Sequence, residues 1–381
     1  MGTNTTYTMA LNSLLNTKKD SKEDFLISLN LLSNIFNLHS SAGFMWCGTK
    51  LKMTDELNDI FDSLHAEKKL ATNMGYTTWV DVCGGALNST LVLMDSLKVS
   101  GIKKFIVNDI NKCIYQTHLD YKENSKDLIN EFSEIIRSKF ILEYGTIFLD
   151  KDNFEKVISI LVDELRDLEQ NNDYSVKSSI RFIILRDLTF SGVIKFHKDK
   201  SFNFAKKIFC GTKVFPWFFR QITRIKKISK IYNDLDIKIY NLDCFELLKL
   251  DDIKNNPNAL INLDPPYIQQ LKENEEEYIS ELKKLKEDNN LTFETLKVSS
   301  SKKTKDCKIN YNQKFPHFDL LELLPNYNYI YNNNNHPIID YAKFILNSNT
   351  QDFNRKETMA NKQNQKANIV KETILYKNSF I

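Results

Sequence analysis

The chain has 381 residues, 42% of them hydrophobic and 27% charged, with a net charge of +3. That length and balance suit one large globular domain or two, and exclude a disordered or fibrous protein. The six cysteines lack CxxC spacing and the six histidines form no HxxxH or HExxH pair, which argues against structural zinc, a disulfide framework and a catalytic metal.

No apolar run reaches the ~18 residues needed to span a bilayer. The N-terminus lacks the basic start and apolar core of a signal peptide. A cytoplasmic, monomeric protein with no membrane contact is expected. The start, Met1-Gly2-Thr3-Asn4-Thr5-Thr6, fits the loose myristoylation pattern, but nothing else points to membranes. The charge is uneven. Residues 175–230 carry 14 Lys and Arg against 2 acidic residues, a net +12 that leaves −9 for the rest. A basic module on an acidic body suggests a polyanionic partner held at one place.

Residues 1–20 are polar. Phe25, Leu29, Leu32 and Phe36 recur at helical spacing, so an amphipathic helix is expected over 22–38. Next comes Phe44-Met45-Trp46-Cys47-Gly48-Thr49-Lys50, where Trp46 offers a stacking face and Lys50 a cation. A tryptophan at a helix entry is more often core.

A β-rich run at 77–82 ends in Cys83-Gly84-Gly85-Ala86, the only adjacent glycine pair in the chain. A helix follows from Asn88-Ser89-Thr90 to Leu97. Strand, glycine turn and helix make a βα unit of the kind that binds nucleosides, and also of the kind that simply turns. The next strand, 103–108, ends at Asp109. There a carboxylate can take a ribose diol or cap the following helix. Helices are expected at 110–119, 123–141 and 152–170, with solvated charged faces.

The basic module contains Arg181, Arg186, Phe190-Ser191-Gly192, Lys195-Phe196-His197-Lys198, Phe202-Asn203-Phe204 and Arg220. Cations interleaved with aromatics suit phosphate contacts and base stacking. Ser191-Gly192 reads as a turn.

Strands are expected at 236–240 and 259–263. The second runs into Asn262-Leu263-Asp264-Pro265-Pro266-Tyr267, which holds the only adjacent prolines. An acid, two rigid residues and an aromatic ring at a strand end suit the gripping of a flat, amine-bearing ring. Residues 269–308 read as a charged helix and a mobile loop. A helix at 315–324 and a strand at 328–331 follow, then a polar loop at 332–335. The apolar segments 339–347 and 368–377 look like a terminal hairpin with a long loop.

Taken in order, these segments resemble the Dam-like, D12 class of DNA adenine-N6 methyltransferases. Met45-Trp46-Cys47-Gly48-Thr49-Lys50 is similar to that family's K-W-x-G-G-K. Cys83-Gly84-Gly85-Ala86-Leu87 loosely matches its F-x-G-x-G, and Asp109-Ile110-Asn111 its D-I-N. Phe190-Ser191-Gly192 and Phe202-Asn203 resemble its recognition segment, and Asp264-Pro265-Pro266-Tyr267 matches D-P-P-Y in full. Departures are Met45 for lysine, Thr49 and Leu87 for glycine, and Cys83 for phenylalanine.

The resemblance implies an α/β, Rossmann-like S-adenosylmethionine-dependent methyltransferase fold with an inserted, mainly helical, basic recognition domain. The implied organisation is an N-terminal extension (1–40), a catalytic domain (41–170 and 232–381) and a recognition segment (171–231). It implies S-adenosylmethionine as cofactor, held by Trp46, Lys50, Gly84, Gly85, Asp109 and Asp264. It implies double-stranded DNA as substrate, touched by Arg186, Ser191, Lys195, Lys198 and Asn203. Catalysis falls to Asp264, Pro265, Pro266 and Tyr267, without a metal. The sequence leaves open a partner restriction endonuclease, and action on RNA or on cytosine N4. It also leaves open a DNA-binding protein with a decayed cofactor pocket.

Overall fold

The computed structural model describes residues 53–145, 149–196, 202–206, 214–268, 275–288, 290–295, 315–356 and 369–377. The expected helix at 22–38, Trp46 and Lys50 lie outside them. The chain divides into two compact units, one of residues 1–49, 85–91 and 111–239, the other of 50–84, 92–110 and 240–381.

The protein is mixed α/β. Seven strands form one sheet in the order β5-β2-β1-β6-β7-β9-β8. They are β1 (Thr78–Asp81), β2 (Lys104–Asn108), β5 (Asp236–Tyr240), β6 (Ala259–Leu263), β7 (Asn328–Asn334), β8 (Ser348–Lys356) and β9 (Ile369–Lys377). β1 pairs in parallel with β2 and with β6, and β6 with β7, while β9 runs antiparallel to both β7 and β8. Every residue of β1, β6 and β7 is buried. That is the signature of parallel strands covered on both faces, and it explains why β6 reads as an unbroken apolar run. From β1 the chain moves to β2 on one side and later to β6 on the other. The carboxyl edge of β1 is therefore the switch point at which such sheets bind ligands.

Helix α1 (Thr54–Thr72) buries Leu57, Ile60, Phe61 and Leu64, one stripe at helical spacing, and ends on Asn73 in the left-handed conformation. Helix α2 (Asn88–Val99) follows the glycine turn.

The unit that holds 111–239 is largely helical. It has α3 (Lys112–Glu123), α4 (Ser125–Ile136), a π-helical turn (Arg137–Leu142), α5 (Lys151–Gln170), α6 (Val176–Leu188) and α7 (Val214–Asn233). Helix α6 packs against α3, α4 and α5. Its Ile180, Phe182, Ile183, Ile184 and Leu185 are all buried, as are Ser178, Ser179, Arg186 and Asp187, so it is buried nearly all round and central to this unit. Between α6 and α7 lies an antiparallel hairpin, β3 (Thr189–Phe196) with β4 (Phe202–Lys206). Ser191-Gly192, expected as a turn, falls inside β3, where the register shifts between Thr189 and Ile194.

Two further expectations are corrected. The asparagine-rich run 332–335 is not a loop, since 332–334 complete the buried strand β7. The segment 339–347 does not pair with 368–377. It belongs to helix α12 (Pro337–Leu346), started by Pro337 and by His336, whose Nδ1 accepts from Ile338 N at 3.2 Å. The terminal hairpin is β8 with β9. The remaining helices are α8 (Cys244–Leu248), α9 (Asp251–Lys254), α10 (Glu275–Glu287) and α11 (His317–Leu323).

Candidate active site at the carboxyl ends of the parallel strands

The register of the parallel strands aligns Asp81 of β1 with Val107 of β2 and Asn262 of β6. The residues just past these partners therefore emerge at one edge of the sheet: Cys83 and Gly84 after β1, Asp109 after β2, Asp264 after β6. The Gly84 amide donates to the Asn108 carbonyl at 2.8 Å, tying the glycine turn to the end of β2. Asn108 is itself a buried brace. Its Nδ2 donates to the carbonyls of Val82 (2.9 Å) and Leu242 (3.0 Å), and its Oδ1 accepts from Leu242 N at 2.9 Å.

The cap of the helix after Asp109 is supplied by its neighbour. Asn111 caps α3, its Oδ1 accepting from the amides of Cys113 (2.9 Å) and Ile114 (3.2 Å). The backbone of Asp109 is fixed by Asn241, whose Nδ2 donates to its carbonyl at 2.8 Å. Cys83 reports the convergence of the site. Burial first, and then the charges of Cys244, Asp109, Asp81 and Asp264, push its thiol well above the usual range. A thiol raised in this way, chiefly by burial, is not a nucleophile, and Cys83 is packing at this edge.

The turn itself is strained. Gly85 has φ +50°, which glycine adopts without cost. Leu87 has φ +54° although it carries a side chain, and that side chain is buried. Leu87 stands where the related motif has its last glycine, and the backbone there keeps the conformation a glycine would take. Bulky residues rarely accept it.

The 264–267 loop is held from both ends by β7. Asn332 Nδ2 donates to the Leu263 carbonyl and to Asn262 Oδ1, both at 3.1 Å, immediately before Asp264. Asn262 Nδ2 passes the chain on to Asp81 Oδ1 at 3.2 Å. On the far side Asn333 Oδ1 accepts from Ile268 N at 3.0 Å. Asn333 Nδ2 donates to the Tyr331 hydroxyl (3.3 Å), which meets His317 Nδ1 at 2.8 Å. Burial pushes His317 down to about 3, with His336 adding to the fall and the Pro266 carbonyl pulling the other way. Pro265 is buried, whereas Asp264, Pro266 and Tyr267 are half-buried and line the edge.

The structure thus brings together Gly84, Asp109 and the 264–267 loop. Sequence reasoning missed Asn262, Asn332, Asn333 and His317. The signal available was the asparagine run itself, one strand away in register from the loop.

The nucleic-acid residues fare differently. Arg186, expected at DNA, is fully buried on the central helix α6, so it does not offer its guanidinium to a phosphate at the surface. Arg181 is held by Glu164 (2.7 Å) and Glu131 (2.8 Å), and Arg224 by Asp187 (2.7 Å). Part of the +12 charge is therefore neutralised internally. Lys195 and Asn203 are directly opposed across the β3–β4 hairpin, with Ser191 on the same strand as Lys195. Lys198 lies outside the described residues. Elsewhere in this unit, Lys126, Lys226 and Lys230 line an open cavity of about 530 Å³ together with Ser125, Ser229 and Asn130. It lies between α4 and α7.

Among the described residues, no group of three or more His, Cys, Asp or Glu is placed to hold a metal. No described helix is long and apolar enough to cross a membrane. Comparison with curated proteins gives no match. The family model for the D12 class N6 adenine-specific DNA methyltransferase matches residues 46–336, a stretch that includes the glycine turn, Asp109, the hairpin and the 264–267 loop in order. The chain belongs to the D12 class of N6 adenine-specific DNA methyltransferases.

Proposed function

We propose that Asp264, Pro265, Pro266 and Tyr267 form the clamp that presents adenine N6 for the methyl transfer this class performs. The observation that carries the reading is the convergence of Asp264 with Asp109 and Gly84 at one sheet edge, around Cys83.

The residues at that edge fit a nucleoside cofactor. Gly84 and Gly85 remove side chains where a ligand approaches the backbone, and Asp109, at the end of β2, is the carboxylate that would accept from a ribose diol. Trp46 and Lys50 complete the set in this reading, Lys50 taking the cofactor's carboxylate. S-adenosylmethionine, when bound, supplies an electrophilic methyl group.

The chain's own work is positioning and electrostatics. The target adenine has to leave the stack before its N6 is reachable. Tyr267 then stacks on the base. The Asp264 carboxylate and the Pro265 carbonyl accept hydrogen bonds from the N6 amine, which raises electron density on a weakly nucleophilic nitrogen and fixes its direction. Neither proline has an N–H to compete for those positions. The asparagines of β7 hold both acceptors in place.

For DNA, the β3–β4 hairpin offers Ser191, Lys195 and Asn203, with Lys198 completing the group. Phosphates are held additionally by the lysine cavity between α4 and α7. Three ammonium groups, two hydroxyls and an amide there match the chemistry of a phosphodiester. The recognition segment, 171–231 in this reading, spans α6, the hairpin and most of α7.

Tritiated-methyl transfer to unmethylated duplex DNA tests the clamp. Asp264→Ala is expected to retain DNA binding and to lose transfer. Transfer at the wild-type rate would remove Asp264 from the site.

A further inference from the structure

His118 is buried in the middle of α3, and nothing in the methyl-transfer chemistry uses it. Both its ring nitrogens are nevertheless engaged. Nε2 lies 2.6 Å from the carbonyl oxygen of Gly85, and Nδ1 lies 2.9 Å from the hydroxyl of Tyr232. A carbonyl can only accept, so Nε2 carries the proton. Nδ1 is then the acceptor, and the Tyr232 hydroxyl donates to it. The chain of bonds has one direction: Tyr232 O–H to His118, His118 N–H to Gly85.

The ends of that chain are informative. Gly85 is the left-handed residue of the glycine turn, where a peptide plane is easily rotated because no side chain restrains it. An N–H fixed on its carbonyl fixes the Gly85–Ala86 peptide plane, and hence the direction of the Ala86 N–H on its opposite side. Tyr232 is fully buried near the C-terminal end of α7, the helix that leaves the β3–β4 hairpin. The interaction thus ties the turn after β1 to the last helix of the recognition segment, through one imidazole held in one tautomer. Burial pulls that imidazole down to about 4, which favours its neutral form near pH 7.

We propose that His118 is a positioning residue for the cofactor: it locks the Gly85 peptide in the cofactor-binding orientation, and Tyr232 on the recognition helix locks His118. The inference rests on the reading of Gly84-Gly85 as part of the cofactor site.

The test is calorimetric titration of S-adenosylmethionine into the full-length protein, with circular dichroism and thermal melting to confirm folding. Glutamine can place an amide N–H where Nε2 stands, whereas asparagine reaches only as far as Nδ1. His118→Gln is therefore expected to stay within about threefold of wild-type affinity, and His118→Asn to lose about tenfold. Tyr232→Phe, which leaves the tautomer unassigned, should fall between them. Gly85→Val, a β-branched residue at positive φ, serves as the control for the turn itself.

Wild-type affinity in a folded His118→Asn protein, with affinity lost in Gly85→Val, would overturn the inference and leave the cofactor reading standing. Wild-type affinity in both would overturn the two together. Equal loss in His118→Gln and His118→Asn with matching falls in melting temperature would reduce His118 to a packing residue, and overturn the inference as well.

Discussion

The side-chain oxygen of Asn333 accepts a hydrogen bond from the backbone N–H of Ile268 at 3.0 Å, at the residue that closes the 264–267 loop. Asn333 is buried in β7, and the contact it makes with the half-buried Ile268 is partly shielded from water. Asn333→Ala leaves that N–H without its acceptor, a loss of about 1–3 kcal/mol. The loop then loses its anchor after Tyr267 while Asn332 still holds Leu263. The turnover number should drop about 10- to 100-fold, since misplacement by an ångström costs that much. Steady-state kinetics separates this from cofactor binding, whose affinity should change less than about twofold. An unchanged turnover number would show that the loop holds itself.

At Leu87 two effects oppose each other. Its φ of +54° stores about 1–2 kcal/mol of left-handed strain, which glycine would release. Its buried side chain contributes about 2–5 kcal/mol of packing, which glycine would forfeit. Packing is the larger quantity, so Leu87→Gly should destabilise the protein by about 1–3 kcal/mol. Urea denaturation gives the sign directly. A more stable Leu87→Gly protein would mean that strain at this turn outweighs burial.

Two buried histidines and one half-buried carboxyl contribute to the acid limb of stability. Burial depresses His118 to about 4 and His317 to about 3 from 6.5. Their stabilising contribution is present above 6.5, and is lost as pH falls, because the unfolded chain then takes up protons that the folded chain refuses. Each removes about 1.4 kcal/mol per pH unit. Glu169 acts in the opposite sense. Burial raises it to about 7, so its contribution is complete below 4.5 and is lost as pH rises through 7. Over the window from 6.5 to 4.5 it offsets about one histidine. The pH slope of stability over that window should therefore be about 1.4 kcal/mol per unit steeper in wild type than in His118→Gln. Parallel slopes for the two proteins would contradict the assignment.

The lysine cavity gives a prediction about DNA. Lys126 and Lys230 are exposed at its rim. Replacing both with glutamate should weaken duplex binding uniformly across sequences, and lower the slope of log affinity against log salt by about 2. Filter binding at several salt concentrations measures both. Identical slopes would place the duplex elsewhere.

How much of this was readable beforehand depended on which physical signal each segment carries. The strands β5 and β6 were read to the residue, because short apolar runs next to turn residues leave few alternatives. The fourth strand of the parallel core was cut short at Tyr331. Asparagine is a poor strand former and reads as loop. Here its amides are bonded to the loop they support, and tertiary contact overrides propensity. Pro337 after His336 did carry a helix-start signal, outweighed by the apolar look of 339–347. Arg186 shows a different limit: composition counts charges without orienting them. Only the packing of α6 at the centre of its unit shows that this arginine is buried. Asp109 was expected as a possible cap, and the cap is instead Asn111, which accepts two hydrogen bonds from the start of α3. His118 gave no signal, since its partners lie 33 and 114 residues away.

The most direct test of the clamp is the identity of the methylated base. DNA incubated with S-adenosylmethionine and the purified protein is digested to nucleosides and analysed by mass spectrometry, for wild type and for Asp264→Ala. N6-methyladenine from wild type, and none from Asp264→Ala, is the expected result. N4-methylcytosine as the product, or equal N6-methyladenine from both proteins, would contradict it.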